Sequence, residues 1–373
     1  MYHSAVRSLH FSVLISSILL SAALNTHAQR YVEREVRIPW VLAGVNGLDA
    51  LQVYADLPGK HPLLLLTHGS SRIAAEQAQV TPWQLLPQAL WFARRGFFVL
   101  AVVRRGYGTS GGERDMQRCF RCMQIEPEEA AENAAQDLRR AIDYARGLPQ
   151  VDGTRIVAAG VSTGGFATTA LTANAPPGLI AAINFSGGTG SRADHDVPLA
   201  SEVVGAYRSF GKTSRVPMLW LYAENDKYFW PELAQKFEEA FHSKGGNDQF
   251  VLAPAIGSDG HSLFRHVDAW SATVDSFLKQ QNIEPLAEPL PEIKPPKVPP
   301  PAGLSETGLQ AFESYLLLGP HRAFATSDHF FGMAVAAMTV DEAREKAVDH
   351  CRQSAHDKEK CTVVYVDGTP VQP

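Results

Sequence analysis

Cysteine is scarce in this chain, with four among 373 residues. Basic clusters are missing altogether. Lysine and arginine number 34 against 39 aspartates and glutamates, for a formal charge of −5. No basic block or basic–aromatic stripe gathers them, so nucleic acid is not expected as a partner. No propeller-like repeat recurs along the chain, which excludes a repeat architecture of that kind. Beyond the N-terminus no apolar run reaches the roughly 20 residues that a bilayer core requires, so no integral membrane segment is expected after processing.

What is present begins at residue 1. Arg7 and His10 precede an apolar run over 11–20, and Thr26-His27-Ala28 stands at the cleavage positions. That is the pattern of a secretory signal peptide over 1–28, with mature protein starting near Gln29. The expected location is secreted or periplasmic, in a bacterium. Export changes how the cysteines read. In an oxidising compartment the two close pairs, Cys119 with Cys122 and Cys351 with Cys361, are expected as disulfides. Cys119-Phe120-Arg121-Cys122 also has the spacing of a redox motif or half a zinc site, but no second pair or ligand cluster sits nearby.

The length sets a prior of about two domains. Residues 31–38 alternate apolar and polar, as a half-exposed strand does, and 48–57 returns beside it after the turn Val45-Asn46-Gly47. Residues 62–67 and 97–103 are uniformly apolar and suit the buried centre of a parallel sheet. Further strands are expected over 155–159, 180–185, 216–223 and 250–253. Helices are expected over 84–95, 127–146, 231–243 and 266–279, the second with Ala130, Ala134, Leu138, Ile142 and Ala145 on one face. Residues 191–212 read as a polar, irregular rim. Strands alternating with helices imply an α/β fold with a mostly parallel, doubly wound sheet. The chain divides into a catalytic domain over 29–283, a stiff Pro-rich linker over 284–301 and a small α+β domain over 302–373. In that last unit, strands over 321–326, 330–337 and 362–366 flank a helix opened by the capping box Thr339-Val340-Asp341-Glu342. It reads as an interaction or cell-envelope module.

The chemistry centres on Gly160-Val161-Ser162-Thr163-Gly164. A Gly-x-Ser-x-Gly run between a strand and a helix is the context of a nucleophile elbow, with Ser162 as nucleophile. Of thirteen histidines, His261 is the candidate base, because its Gly-rich loop follows the last strand. His266, His195 and His68 are the alternatives. Asp226, behind the strand over 216–223, is the candidate acid, ahead of Asp259 and Glu224. The oxyanion donors are the N–H groups of Thr163 and of Ser70, with Ser71 as the alternative to Ser70. Tyr107, Phe166, Tyr228, Phe229 and Trp230 flank these positions, as acyl-pocket lining or as core.

His68-Gly69, Arg105-Gly106-Tyr107-Gly108-Thr109-Ser110-Gly111, the elbow, Asp226 and Gly260-His261 together resemble the α/β-hydrolase superfamily over residues 36–279. The resemblance is nearest to the dienelactone hydrolase-like branch of esterases and related serine peptidases. It implies a Ser162–His261–Asp226 triad without cofactor or metal. Dienelactone hydrolase proper uses a cysteine nucleophile where this chain has Ser162, which favours a serine esterase. The expected activity is hydrolysis of small carboxylic esters through an acyl-enzyme. A peptidase or amidase of the same fold is the alternative within enzymes. A binding protein on a degenerate hydrolase scaffold is the alternative outside them.

Overall fold

A computed structural model describes residues 31–114 and 126–371. The signal peptide expected over 1–28 and the Cys119/Cys122 pair lie outside the described residues. Eight strands form the main sheet: β1 (Tyr31–Ile38), β2 (Leu48–Ala55), β3 (His61–Thr67), β4 (Phe98–Val102), β5 (Val151–Val161), β6 (Leu179–Phe185), β7 (Met218–Ala223) and β8 (Asp248–Ala253). Their order is β1-β2-β4-β3-β5-β6-β7-β8. The β1–β2 and β2–β4 pairs are antiparallel and every later pair is parallel. The apolar run over 62–67 lies within β3, buried at every position. That follows from its place between β4 and β5, with helices above and below.

Seven helices belong to this part: α1 (Ala74–Gln77), α2 (Leu86–Ala93), α3 (Pro127–Arg146), α4 (Thr163–Ala173), α5 (Ala200–Gly211), α6 (Pro231–His242) and α7 (Val267–Gln280). On one face of the sheet α3 buries Ala130, Ala134, Leu138, Ile142 and Ala145, alongside α4, α5 and α6. On the other, α2 and α7 pack Phe92, Trp270, Val274 and Phe277 against the second set of strand side chains. This is the doubly wound arrangement expected from the sequence.

The rim expected over 191–212 is corrected by α5. That helix buries Val203, Ala206, Tyr207 and Phe210 in the main core. Their three- and four-residue spacing is helical, but Ser201, Glu202, Arg208 and Ser209 between them hide it from a reading by polarity. Helix α8 (Glu306–Leu317) was not expected either. Ser305 caps it by accepting the Gly308 N–H at 3.2 Å, and Phe312, Tyr315 and Leu316 form its buried stripe.

The C-terminal part holds a second sheet of four strands, β9 (Ala323–Thr326), β10 (Phe331–Ala334), β11 (Thr362–Val366) and β12 (Thr369–Pro370), in the order β10-β9-β11-β12. Alternation along β9 divides two small cores. Ala323 and Ala325 face helix α9 (Val340–Ser354), while Phe324 meets Phe312 and Tyr315 of α8. Thr339 caps α9 by accepting the Glu342 N–H at 3.1 Å, and the Glu342 carboxylate accepts the Met338 N–H at 2.8 Å, one residue upstream of the usual box. A Cys351–Cys361 disulfide joins the end of α9 to the start of β11 across ten residues.

The two parts touch. Thr81 Oγ1 donates to the Ala336 carbonyl at 2.8 Å, Lys346 Nζ to Gln79 Oε1 at 2.9 Å, and Gly319 lies against the Trp83 indole. The intervening segment runs back along the main part, where the Leu290 N–H donates to the Arg94 carbonyl at 2.7 Å and Arg94 Nε to the Leu290 carbonyl at 2.9 Å. Among the described residues no helix is long and apolar enough to cross a membrane.

Closing a loop of this length with a disulfide stabilises by about 2–3 kcal/mol. Cys351→Ser is therefore expected to lower the unfolding free energy of the C-terminal part by about that amount. Denaturant melts of wild type should fall to the variant's value on adding reductant, and equal melts with and without reductant would contradict this.

Candidate active site

Ser162 makes the corner between β5 and α4 alone, at φ 55° and ψ −122°. A non-glycine residue takes such angles only when its surroundings over-determine them. Here its N–H donates to Phe185 of β6 at 2.9 Å, and its carbonyl accepts from Phe166 at 3.0 Å and Gly188 at 3.2 Å. Two glycines make room for the corner. A Cβ on Gly160 would overlap the Gly164 carbonyl, and one on Gly164 would overlap the His68 carbonyl. The side chain of Ser162 is thereby presented at the carboxyl edge of the parallel strands.

Asp226 and His261 meet at the same edge. Asp226 follows β7 and is wholly buried. Its Oδ1 accepts the N–H groups of Tyr228 and Phe229 at 2.8 and 2.9 Å, and His261 Nδ1 lies 3.0 Å from Oδ2 and 3.2 Å from Oδ1. With the carboxylate accepting, Nδ1 carries the imidazole proton and Nε2 is left as an acceptor. Asp259 takes a different part. Its Oδ1 accepts the N–H of His261 at 2.9 Å and of Lys227 at 3.1 Å, so it caps the 3-10 turn Gly260–Arg265 that carries the imidazole. Glu224 is exposed. His266 directs Nδ1 to its own turn, at the Ser262 carbonyl, and His195 packs on Trp230.

No hydrogen bond joins Ser162 Oγ to His261 among the described residues. Phe229 lines a cavity with Ser162 and meets the His261 ring edge-on at 5.5 Å.

Ser70 and Thr163 line that cavity too. Thr163 opens α4, where backbone N–H groups and the helix dipole favour negative charge. The loop carrying Ser70 is held by His68. A carbonyl can only accept, so His68 Nδ1 donates to Gly69 O at 2.6 Å, and Nε2 accepts the Arg104 N–H at 3.1 Å. Both ring nitrogens are spent on the loop. Burial first, and then the Arg104 charge, hold His68 well below the usual histidine range. The Arg104 guanidinium donates to Thr67 Oγ1 at 2.9 Å, the His68 carbonyl at 2.5 Å and Thr163 Oγ1 at 2.9 Å.

The cavity measures about 270 Å³, just under the usual size of a drug-scale ligand pocket. Of the five aromatic residues singled out from sequence, Tyr107, Tyr228 and Phe229 line it. Phe166 belongs to the core with Tyr207 and Phe210. Arg72 was missed. Its guanidinium stacks 3.4 Å over the Tyr228 ring, and Tyr228 stacks in turn on His261 at 4.0 Å and 7°. Asp194 at 3.0 Å and Ser191 Oγ at 2.8 Å fix the guanidinium. No local motif announces a stack built from residues so far apart in sequence. Among the described residues no trio of His, Cys, Asp or Glu at metal-ligand spacing lines this cavity.

The model of the X-Pro dipeptidyl-peptidase (S15) family matches residues 56–204. An acylaminoacyl peptidase of Pyrococcus horikoshii is similar in structure, with a TM-score of 0.51 and 18% identity, covering 70% of this chain and 43% of its own. This chain thus corresponds to less than half of that peptidase. An esterase of Pyrococcus furiosus has a TM-score of 0.45 and 16% identity over 68% of this chain and 92% of its own. Acetyl xylan esterase 1 from Thermoanaerobacterium sp. has a TM-score of 0.45 and 16% identity over 68% and 88%. No curated protein matches the chain.

His68 generates a pH prediction. Below its ordinary pKa the unfolded chain binds a proton that the folded chain does not, so stability falls as pH falls through about 6.5, by up to about 1.4 kcal/mol per pH unit. His68→Gln should flatten that slope in denaturant melts between about pH 6.5 and 5. An unchanged slope would show that His68 titrates freely.

Proposed function

We propose that the chain is a serine hydrolase of the α/β-hydrolase superfamily that cleaves carboxylic esters through an acyl-enzyme. The observation that carries the reading is the meeting of three features at one sheet edge: Ser162 at its strained corner, the Asp226–His261 pair, and a cavity opening on the serine. Ser162 Oγ attacks the acyl carbonyl and His261 Nε2 takes its proton. Asp226 keeps the other ring nitrogen protonated and stabilises the imidazolium. The N–H groups of Thr163 and Ser70 receive the oxyanion, with the buried Arg104 charge bonded to the Thr163 side chain behind them. Water activated by His261 then releases the acid. The small cavity suits a short acyl group.

Amide cleavage is the second reading, favoured by the family match over 56–204, whose description is a peptidase. The same proposal has residues 1–28 removed on export, the catalytic part over 29–283 and the C-terminal unit beyond the linker as a separate domain.

Labelling with a fluorophosphonate probe tests the nucleophile. Wild type should react and Ser162→Ala should not, and labelling of neither would move the non-enzymatic binding reading to the front. Asp226→Asn should lower kcat for a short-chain ester on the order of 10⁴-fold by favouring the wrong His261 tautomer. Matched ester and amide substrates then separate the two enzymatic readings, and faster amide turnover would overturn the esterase assignment.

A further inference from the structure

At the opposite edge of the sheet, three side chains converge that the proposed reaction does not use. Glu238 and His242 stand one helical turn apart on α6, and Asp248 opens β8. Each offers one ligand atom, and these atoms all lie within 4.8 Å of one another. His242 Nδ1 is 3.1 Å from Asp248 Oδ1. The Asp248 side chain has no exposed surface, whereas 64% of His242's is exposed.

The second carboxylate oxygen of Asp248 is an orphan. Oδ2 is buried and receives no hydrogen-bond donor among the described residues. Such an oxygen is costly. The neighbouring Glu238 brings a second carboxyl to the same place. The pair is short of positive charge.

We propose that Glu238, His242 and Asp248 form a binding site for a divalent transition-metal ion of the Zn²⁺ class. Two carboxylate oxygens and one imidazole nitrogen are a donor set that zinc accepts, and an imidazole ligand disfavours Mg²⁺ and Ca²⁺. The exposed side, at His242, leaves the fourth position to water. Binding would put a cation in the place that the orphan oxygen faces. β8 rises about 3.3 Å per residue, and the loop bearing His261 leaves its far end. The ion is therefore structural, a clip between α6 and β8, and takes no part in acyl transfer.

The test uses the full-length mature protein stripped with chelator and titrated with ZnCl₂. Wild type should bind with a dissociation constant in the micromolar range or below, and its melting temperature should rise by at least about 3 °C at a hundredfold excess over that constant. Asp248→Asn and the exposed-site variant His242→Gln should each lose at least tenfold in affinity and the thermal shift, while ester turnover at 25 °C stays within twofold of wild type. His242→Gln keeps the test decisive if Asp248→Asn fails to fold. Absence of binding to wild type, or binding undiminished in His242→Gln, would overturn the assignment, the second by placing the ion elsewhere in the chain.

Discussion

One buried guanidinium joins the pieces on which the site depends. Arg104 leaves the end of β4, accepts no exposure to solvent, and donates to Thr67 and His68 at the end of β3 and to Thr163 at the start of α4. Its backbone N–H fixes the His68 ring, which in turn holds the Gly69 carbonyl. The loop carrying Ser70 and the helix opened by Thr163 are thus tied to a single planar group. A guanidinium can do this because its fork of N–H groups is rigid; an ammonium has no such geometry. The strained corner at Ser162 sits between the tied elements, and it persists because both sides are fixed.

Local sequence carried the parts of this arrangement that depend on short spacing. The elbow was legible because its glycines, its serine and the flanking strand and helix are contiguous. The all-apolar β3 and the one-sided α3 were legible for the same reason, since burial on two faces or one leaves a direct imprint on residue pattern. Asp226 and His261 were singled out through their places after strands. What separates Asp226 from Asp259, however, is a set of backbone bonds: the first accepts from Tyr228 and Phe229 beside the ring nitrogen, the second caps the turn beneath the ring.

Other features depend on distance, and the sequence hides them. Helix α5 reads as a rim by polarity because Ser201, Glu202, Arg208 and Ser209 interrupt its apolar residues. Helix α8 follows a Pro-rich stretch and shows only three buried side chains. The Arg72–Tyr228–His261 stack spans three loops. The Glu238–His242 spacing on α6 was visible, but neither residue gained meaning until Asp248 and its donorless oxygen were placed beside them.

Among the described residues, the contacts between the C-terminal unit and residues 79–83 include two side-chain hydrogen bonds and a glycine laid on an indole. On one chain the connecting segment, itself pinned at Arg94 and Leu290, converts the encounter into an intramolecular one, where local concentration rather than intrinsic affinity sets occupancy. The covalent tether thus helps to keep the two parts together. The stretch they share leads straight back to Gln77 on the cavity wall, so severing the chain in its Pro-rich segment would be felt at the mouth of the site.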